Sequence, residues 1–368
     1  MKLASDVLQS YSKIDEQYVD SLLKKEMEQN NKTFVVLDDD PTGVQTVHDV
    51  PVYTNWEKET IRQAFAEKNK LFFILTNSRG FTVEQTTKAH KEIADVVDEA
   101  AKEAGVEYVF VSRSDSTLRG HYPLETEILK ENYEKHTGVT IDGEILCPFF
   151  KEGGRFTIDN VHYVKYGEEL ISANETEFAK DQTFGYNSLT MPEYVEEKTE
   201  GKYHAKDVIC IPLKDIRSLD LFKIEEALMQ VKNFNKIIVN AVDYIDLKIF
   251  CIALYRAMNK GKLFMFRTAA SLVKVMGGVT DQPLLERSQM IVTETQNGGV
   301  IVVGSHTEKT TKQVEELKKL TDIEFVELDA TLVTEEEAFE KEIQRCLKRE
   351  EECIKAGKTV CCYTTRSL

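Results

Sequence analysis

The sequence predicts an α/β fold: a mostly parallel, doubly wound sheet in an N-terminal domain, followed by a partial α/β nucleotide-binding domain. Three observations predict it. Apolar runs of strand length recur along the chain, amphipathic helical patterns separate them, and several of the runs end in polar turns rich in Gly, Ser and Arg. A length of 368 residues exceeds one ordinary core, so two domains are expected.

Residues 1–32 are polar and helix-prone, with Ile14, Tyr18, Leu22 and Leu23 spaced as one apolar stripe, and read as an N-terminal helical extension. A second segment, 33–296, opens with strands at Thr33–Leu37, Leu71–Thr76, Tyr108–Val111 and Glu144–Cys147. Helices near 57–67, 83–104 and 122–135 lie between them, and Tyr53 and Trp56 read as packing residues. Residues 151–206 look like an insertion of loops and short strands. Alternation resumes with strands at Val208–Ile211, Ile237–Asn240 and Leu263–Arg267, separated by helices at 215–232 and 243–259. Asn297-Gly298-Gly299 marks a boundary, and 297–368 reads as β-α-β-α-β: strands at Val300–Val303, Ile323–Leu328 and Thr359–Thr364, a helix from Glu308 to Leu320, and another opened by a Thr334-x-x-Glu337 capping box.

Hydrophobic content of 42% with 30% charged residues describes a globular chain. A formal charge of −16 repels a phosphate backbone, so nucleic acid is not an expected partner. No apolar run of about 18 residues suggests a membrane span, and residues 1–9 lack a signal-peptide pattern. Seven cysteines without metal-type spacing fit reduced thiols, and the cytoplasm is the expected compartment. There is no G-x-x-x-x-G-K-[ST] or G-x-G-x-x-G, which disfavours a P-loop or dinucleotide enzyme. The histidines are scattered, and no protein-held metal site is expected.

The chemistry concentrates where strands end. The strand at 33–37 runs into Asp38-Asp39-Asp40-Pro41-Thr42-Gly43, three adjacent anions that need a cation or a proton to coexist. Further strands end in Thr76-Asn77-Ser78-Arg79-Gly80, in Ser112-Arg113-Ser114-Asp115-Ser116-Thr117-Leu118-Arg119-Gly120, in Lys151-Glu152-Gly153-Gly154-Arg155 and in Arg267-Thr268-Ala269-Ala270-Ser271. Each alone is compatible with an ordinary capped βα loop. Together they describe a cleft suited to a small polyhydroxylated carboxylate: arginines pair its carboxylate, and Asp and hydroxyl groups take its hydroxyls. Gly304-Ser305-His306-Thr307, between a strand and a helix, is a candidate phosphate cradle.

The blocks DDDPTG, TNSRG, SRSDSTLRGH, CPFFKEGGR, DQTFGY and FRTAAS together resemble the four-carbon acid sugar kinase family, long catalogued as a domain of unknown function. The likeness runs from about residue 30 to the end. It implies an acid-sugar-binding domain at 33–296, an incomplete nucleotide-binding domain at 297–368, and a reaction in the cleft between them. The expected substrates are a tetronate or 3-oxo-tetronate and ATP with Mg²⁺, and a homodimer is left open. Carried over by position, Asp39, Ser78, Arg79, Asp115, Arg119 and Arg155 form the sugar-acid side, with Asp39 and Asp115 the catalytic candidates, and Ser305 touches ATP. The strand-end readings add Asp38, Ser116, Gly154 and Arg267 as substrate candidates, and Gly304 and Thr307 as ATP candidates. Family members continue past the strand matching Val360–Thr364 into glycine-rich ATP-holding turns, so the chain reads as C-terminally truncated. The alternative is a sugar-acid-binding remnant without catalysis.

Overall fold

A computed structural model describes residues 1–291, 295–306 and 308–366. The chain divides by its internal contacts into two units, Met1–Gln282 and Pro283–Leu368. In the first unit the strands are β1 (Lys2–Ala4), β2 (Thr33–Asp38), β3 (Val52–Tyr53), β4 (Leu71–Leu75), β5 (Tyr108–Arg113), β6 (Gly143–Cys147), β7 (Arg155–Ile158), β8 (Val161–Tyr166), β9 (Glu169–Ser172), β10 (Ile209–Ile211), β11 (Asn235–Val239) and β12 (Phe264–Thr268). Eight of them form one sheet in the order β10-β11-β6-β12-β5-β2-β4-β3. Every pairing in it is parallel, as the alternation predicts.

From β2 the chain builds outward through β3 and β4, then returns to lay β5 on the other side of β2. That reversal opens a crevice at the carboxyl ends of β2 and β5, where open α/β sheets take ligands. The strands are mostly apolar because a parallel sheet is covered on both faces: Val35, Val36, Phe72, Phe73, Phe110, Ile145, Ile237 and Phe266 are buried. The helix Tyr244–Asn259 is buried along nearly its whole length, which explains why its sequence lacks a polar face. Truncating one such core aromatic to Ala costs about 3–5 kcal/mol.

Several elements differ from expectation. The N-terminal 32 residues are not all helical: β1 pairs antiparallel with β9, a 3-10 turn follows, and the helix spans Glu16–Glu28, capped by Asp15. Strand β3 is only two residues long, too short to leave a periodic signal. The insertion carries the short strands expected of it, β7, β8 and β9, which join β1 from the N-terminus in an antiparallel sheet, β1-β9-β8-β7, and it adds the capped helix Met191–Lys198. The helix expected at 215–232 breaks into Leu213–Arg217 and Leu221–Gln230, because Leu219 turns left-handed and Asp220 caps the second piece.

In the second unit β13 (Val300–Val303), β14 (Ile323–Leu328) and β15 (Thr359–Thr364) form a parallel sheet, order β13-β15-β14. Helices Glu308–Leu317 and Glu336–Lys355 connect them, and Val326, Cys346, Cys353 and Val360 make its core. The capping box at Thr334 does not form. Thr334 closes a 3-10 turn, and Glu335 starts the helix without a side-chain cap. No helix of the described residues is long and apolar enough to cross a membrane.

Candidate functional site

Strand register sets the site. Asp38 and Arg113 are cross-strand partners at the carboxyl ends of β2 and β5, and Arg113 also faces Thr268 of β12. The buried Arg113 Nη1 reaches one oxygen of each acid in the cluster: 2.9 Å to Asp38, 3.3 Å to Asp40 and 3.6 Å to Asp39. Asp38 lies so close to the following turn that a Cβ on Gly43 would stand 1.9 Å from its Oδ2. Only glycine fits there.

At the end of β4, Asn77 turns left-handed and presents Arg79 back across β2. Arg79 donates from Nε and Nη2 to the two oxygens of Asp39, at 3.0 and 2.6 Å, and its Nη1 contacts Asp40. The same Nη1 stands 4.0 Å from Asp115. The loop after β5 folds on Asp115, which accepts from Arg119 Nε at 2.7 Å and from the Thr117 hydroxyl. Gly120, at a φ of 110°, lets this loop touch β2: a Cβ there would be 3.2 Å from Asp39 Oδ2 and 3.5 Å from Arg267 Nη2. Arg267, from β12, donates to the Ser114 hydroxyl and to the Arg119 carbonyl at 2.9 Å, with Glu125 at 3.7 Å. Arg155, heading β7, and Arg119 both stack on the Phe178 ring, at 5.5 and 5.0 Å. Arg155 Nε is buried without a hydrogen-bond partner.

The acids divide by environment. Burial pushes Asp38 up to about 7 and Asp39 up to about 6, against the pull of Arg113 and Arg79 respectively. Burial also acts on Asp115, but its hydrogen bond and ion pair with Arg119 win and hold it at about 2. Asp40 is held low despite burial by Thr42, Arg79 and Arg113. Burial lowers Arg155 below the ordinary guanidinium value, with Asp115 as its main opposing charge.

The structure therefore brings Asp38, Asp39, Arg79, Asp115, Arg119, Arg155 and Arg267 into one network. Ser78 is turned inward, its hydroxyl 3.0 Å from Thr76 Oγ1 and 3.3 Å from Glu125 Oε1. Ser116 enters through its carbonyl, which accepts from His162 Nε2 at 2.7 Å. Gly154, at a φ of 70°, makes the turn into β7 and packs on Lys165. In the second unit, the Gly304 carbonyl accepts from Thr364 Oγ1 at 3.3 Å and Ser305 Oγ from Thr310 Oγ1 at 3.2 Å. Thr307 lies outside the described residues.

Sequence reasoning placed Arg113 in the strand-end segment Ser112–Gly120 without giving it a role of its own, and it missed Glu125, His162 and Phe178. Glu125, in a helix's first turn, reads as an acid favoured there by the dipole. His162 is kept neutral, its value pushed down by burial to about 4, while its ring props the loop at Ser116. A larger cavity of about 470 Å³ lies at the opposite, amino ends of the strands, lined by Lys32, Tyr108, Tyr133 and Met258. Its cations Lys32, Lys102 and Lys262 are each paired, with Glu107, Asp98 and Asp142, whereas the arginine network keeps a buried donor, Arg155 Nε, without a partner.

Residues 34–276 match the family model of a sugar-binding N-terminal domain. The chain belongs to that family. Residues 300–368 match the model of a nucleotide-binding C-terminal domain. No curated protein matches the chain. Among solved structures, a Haemophilus influenzae protein of a family of unknown function is similar at a TM-score of 0.51 and 16% identity, covering 90% of this chain and 75% of that one. A Salmonella typhimurium protein provisionally described as a tRNA synthase gives 0.52 and 13%, covering 92% and 75%. A Bordetella bronchiseptica domain of unknown function, a domain-swapped dimer with bound citrate, gives 0.47 and 15%, covering 91% and 75%. At these identities the likeness concerns the fold. The sugar-binding N-terminal domain holds the whole arginine network, and the candidate phosphate cradle falls in the nucleotide-binding one.

Proposed function

We propose that the chain is a kinase that transfers the γ-phosphoryl group of ATP to the terminal hydroxyl of a four-carbon sugar acid. The observation that carries this reading is the interleaving of Arg79, Arg119, Arg155 and Arg267 with Asp39 and Asp115 at the strand ends of a sugar-binding family domain. A nucleotide-binding family domain follows it. Arg155, with Nε unpartnered, takes the substrate carboxylate beside Arg119, both held by Phe178.

Asp39 is the better base, because a carboxylate raised to about 6 accepts a proton more readily than Asp115, held at about 2. Asp115 stays ionised and accepts hydrogen bonds from sugar hydroxyls. In the transfer the substrate oxygen bonds to the γ-phosphorus, the bond to the β-phosphate bridging oxygen breaks, Asp39 takes the hydroxyl proton, and ADP leaves. Mg²⁺ on the ATP supplies charge neutralisation of the phosphates. The Asp38–Asp40 cluster does not fit as its holder, because Arg113 already reaches all three carboxylates.

The test incubates the chain with ATP, Mg²⁺ and threonate, erythronate or 3-oxo-tetronate, reading ADP release and phosphorus resonances. A new phosphomonoester supports the kinase. Tetronate binding without ADP release replaces it with a non-catalytic binder, and no binding of any tetronate overturns both.

A further inference from the structure

We propose that Arg113 is a built-in counter-cation that keeps the Asp38–Asp39–Asp40 cluster free of divalent metal. Oxygens of these three carboxylates lie within 4.8 Å of one another, a spacing that a divalent ion would bridge. The nitrogen Nη1 of Arg113 stands 2.9, 3.6 and 3.3 Å from one oxygen of Asp38, Asp39 and Asp40 respectively, and so takes the position of such an ion.

Other groups narrow the approach to the cluster. Arg79 spans both oxygens of Asp39 and contacts Asp40, and the Gly43 backbone closes on Asp38 Oδ2. Arg113 is itself buried and issues from the end of β5, where its register with Asp38 fixes its origin. Arginine suits this role better than lysine, because burial does not deprotonate it. An added divalent ion would set four positive charges against three carboxylates and face two guanidinium groups at short range. Mg²⁺ therefore reaches the protein on the nucleotide, and the cluster serves as a rigid, metal-independent floor.

The test is manganese binding to the full chain, followed by electron paramagnetic resonance, with neither sugar nor nucleotide present. It is thus independent of the kinase reading. The wild type and Asp40→Asn are expected to give the same curve, whereas Arg113→Met gains one site per chain at least about tenfold tighter, lost again on adding Asp38→Asn. The proposal is overturned if the wild type binds a manganese ion that Asp40→Asn removes, or if a folded Arg113→Met gains none. Should Arg113→Met not fold by circular dichroism, the wild-type and Asp40→Asn comparison decides alone.

Discussion

Arg79 holds Asp39 by two parallel hydrogen bonds, 3.0 and 2.6 Å long, across the ends of adjacent strands β4 and β2. The pair keeps a buried carboxylate in one orientation while burial leaves it more basic than a surface aspartate. Asp39→Asn should lower kcat by about 10²–10⁴ with tetronate affinity changed only a few-fold. In the wild type kcat/KM should rise with pH through about 6, as Asp39 loses its proton. Steady-state ADP release between about pH 5 and pH 8 checks both, and the residual activity of the variant should lack that limb.

Asp38 makes stability depend on pH in the direction opposite to an ordinary salt-bridged acid. Its folded-state value is raised to about 7, so the folded state binds the proton more tightly than the unfolded chain does. Its contribution is most favourable at low pH and declines as pH rises through that value. Urea unfolding at about pH 5 and pH 8 should show the wild type losing more stability with rising pH than Asp38→Asn.

Phe178 positions two like charges on one ring, Arg119 at 5.0 Å and Arg155 at 5.5 Å. Losing two cation–π contacts of about 0.5–2 kcal/mol each should weaken tetronate binding roughly tenfold or more in Phe178→Ala. Affinity for the uncharged tetritol should stay unchanged. Calorimetric titration of both ligands separates this positioning role from a general loss of fold.

Lys236 and Glu144 are register partners on β11 and β6, fully buried, with Nζ 2.5 Å from Oε2. Lys236→Met strands the carboxylate and should cost about 3–5 kcal/mol in urea unfolding. Adding Glu144→Leu should recover most of that loss, because the desolvated pair is then replaced by apolar packing.

The strand ends were legible as a group, because acids and Ser-Arg turns recur at successive strand ends although each alone would pass for an ordinary capped βα loop. Their partnerships were not. Which cation meets Asp38 depends on β2–β5 register, and nothing local in Ser112-Arg113-Ser114 reveals that Arg113 points at three carboxylates. Phe178 sits in an irregular insertion and reaches the site only because β7 to β9 fold into their own sheet. The pairing of β1 with β9 joins distant residues such as Lys2 and Ile171, beyond any periodic pattern. At Thr334 the local signal was present but lost to the 3-10 turn that ends there.

A calorimetric comparison of a tetronate with its uncharged tetritol, using the wild type and Arg155→Gln, tests the central claim most directly. The arginine network predicts saturable binding of the acid, about 10- to 100-fold weaker binding of the tetritol, and loss of that difference in the variant. Equal affinity of the wild type for both ligands, or no binding of the acid, would contradict it.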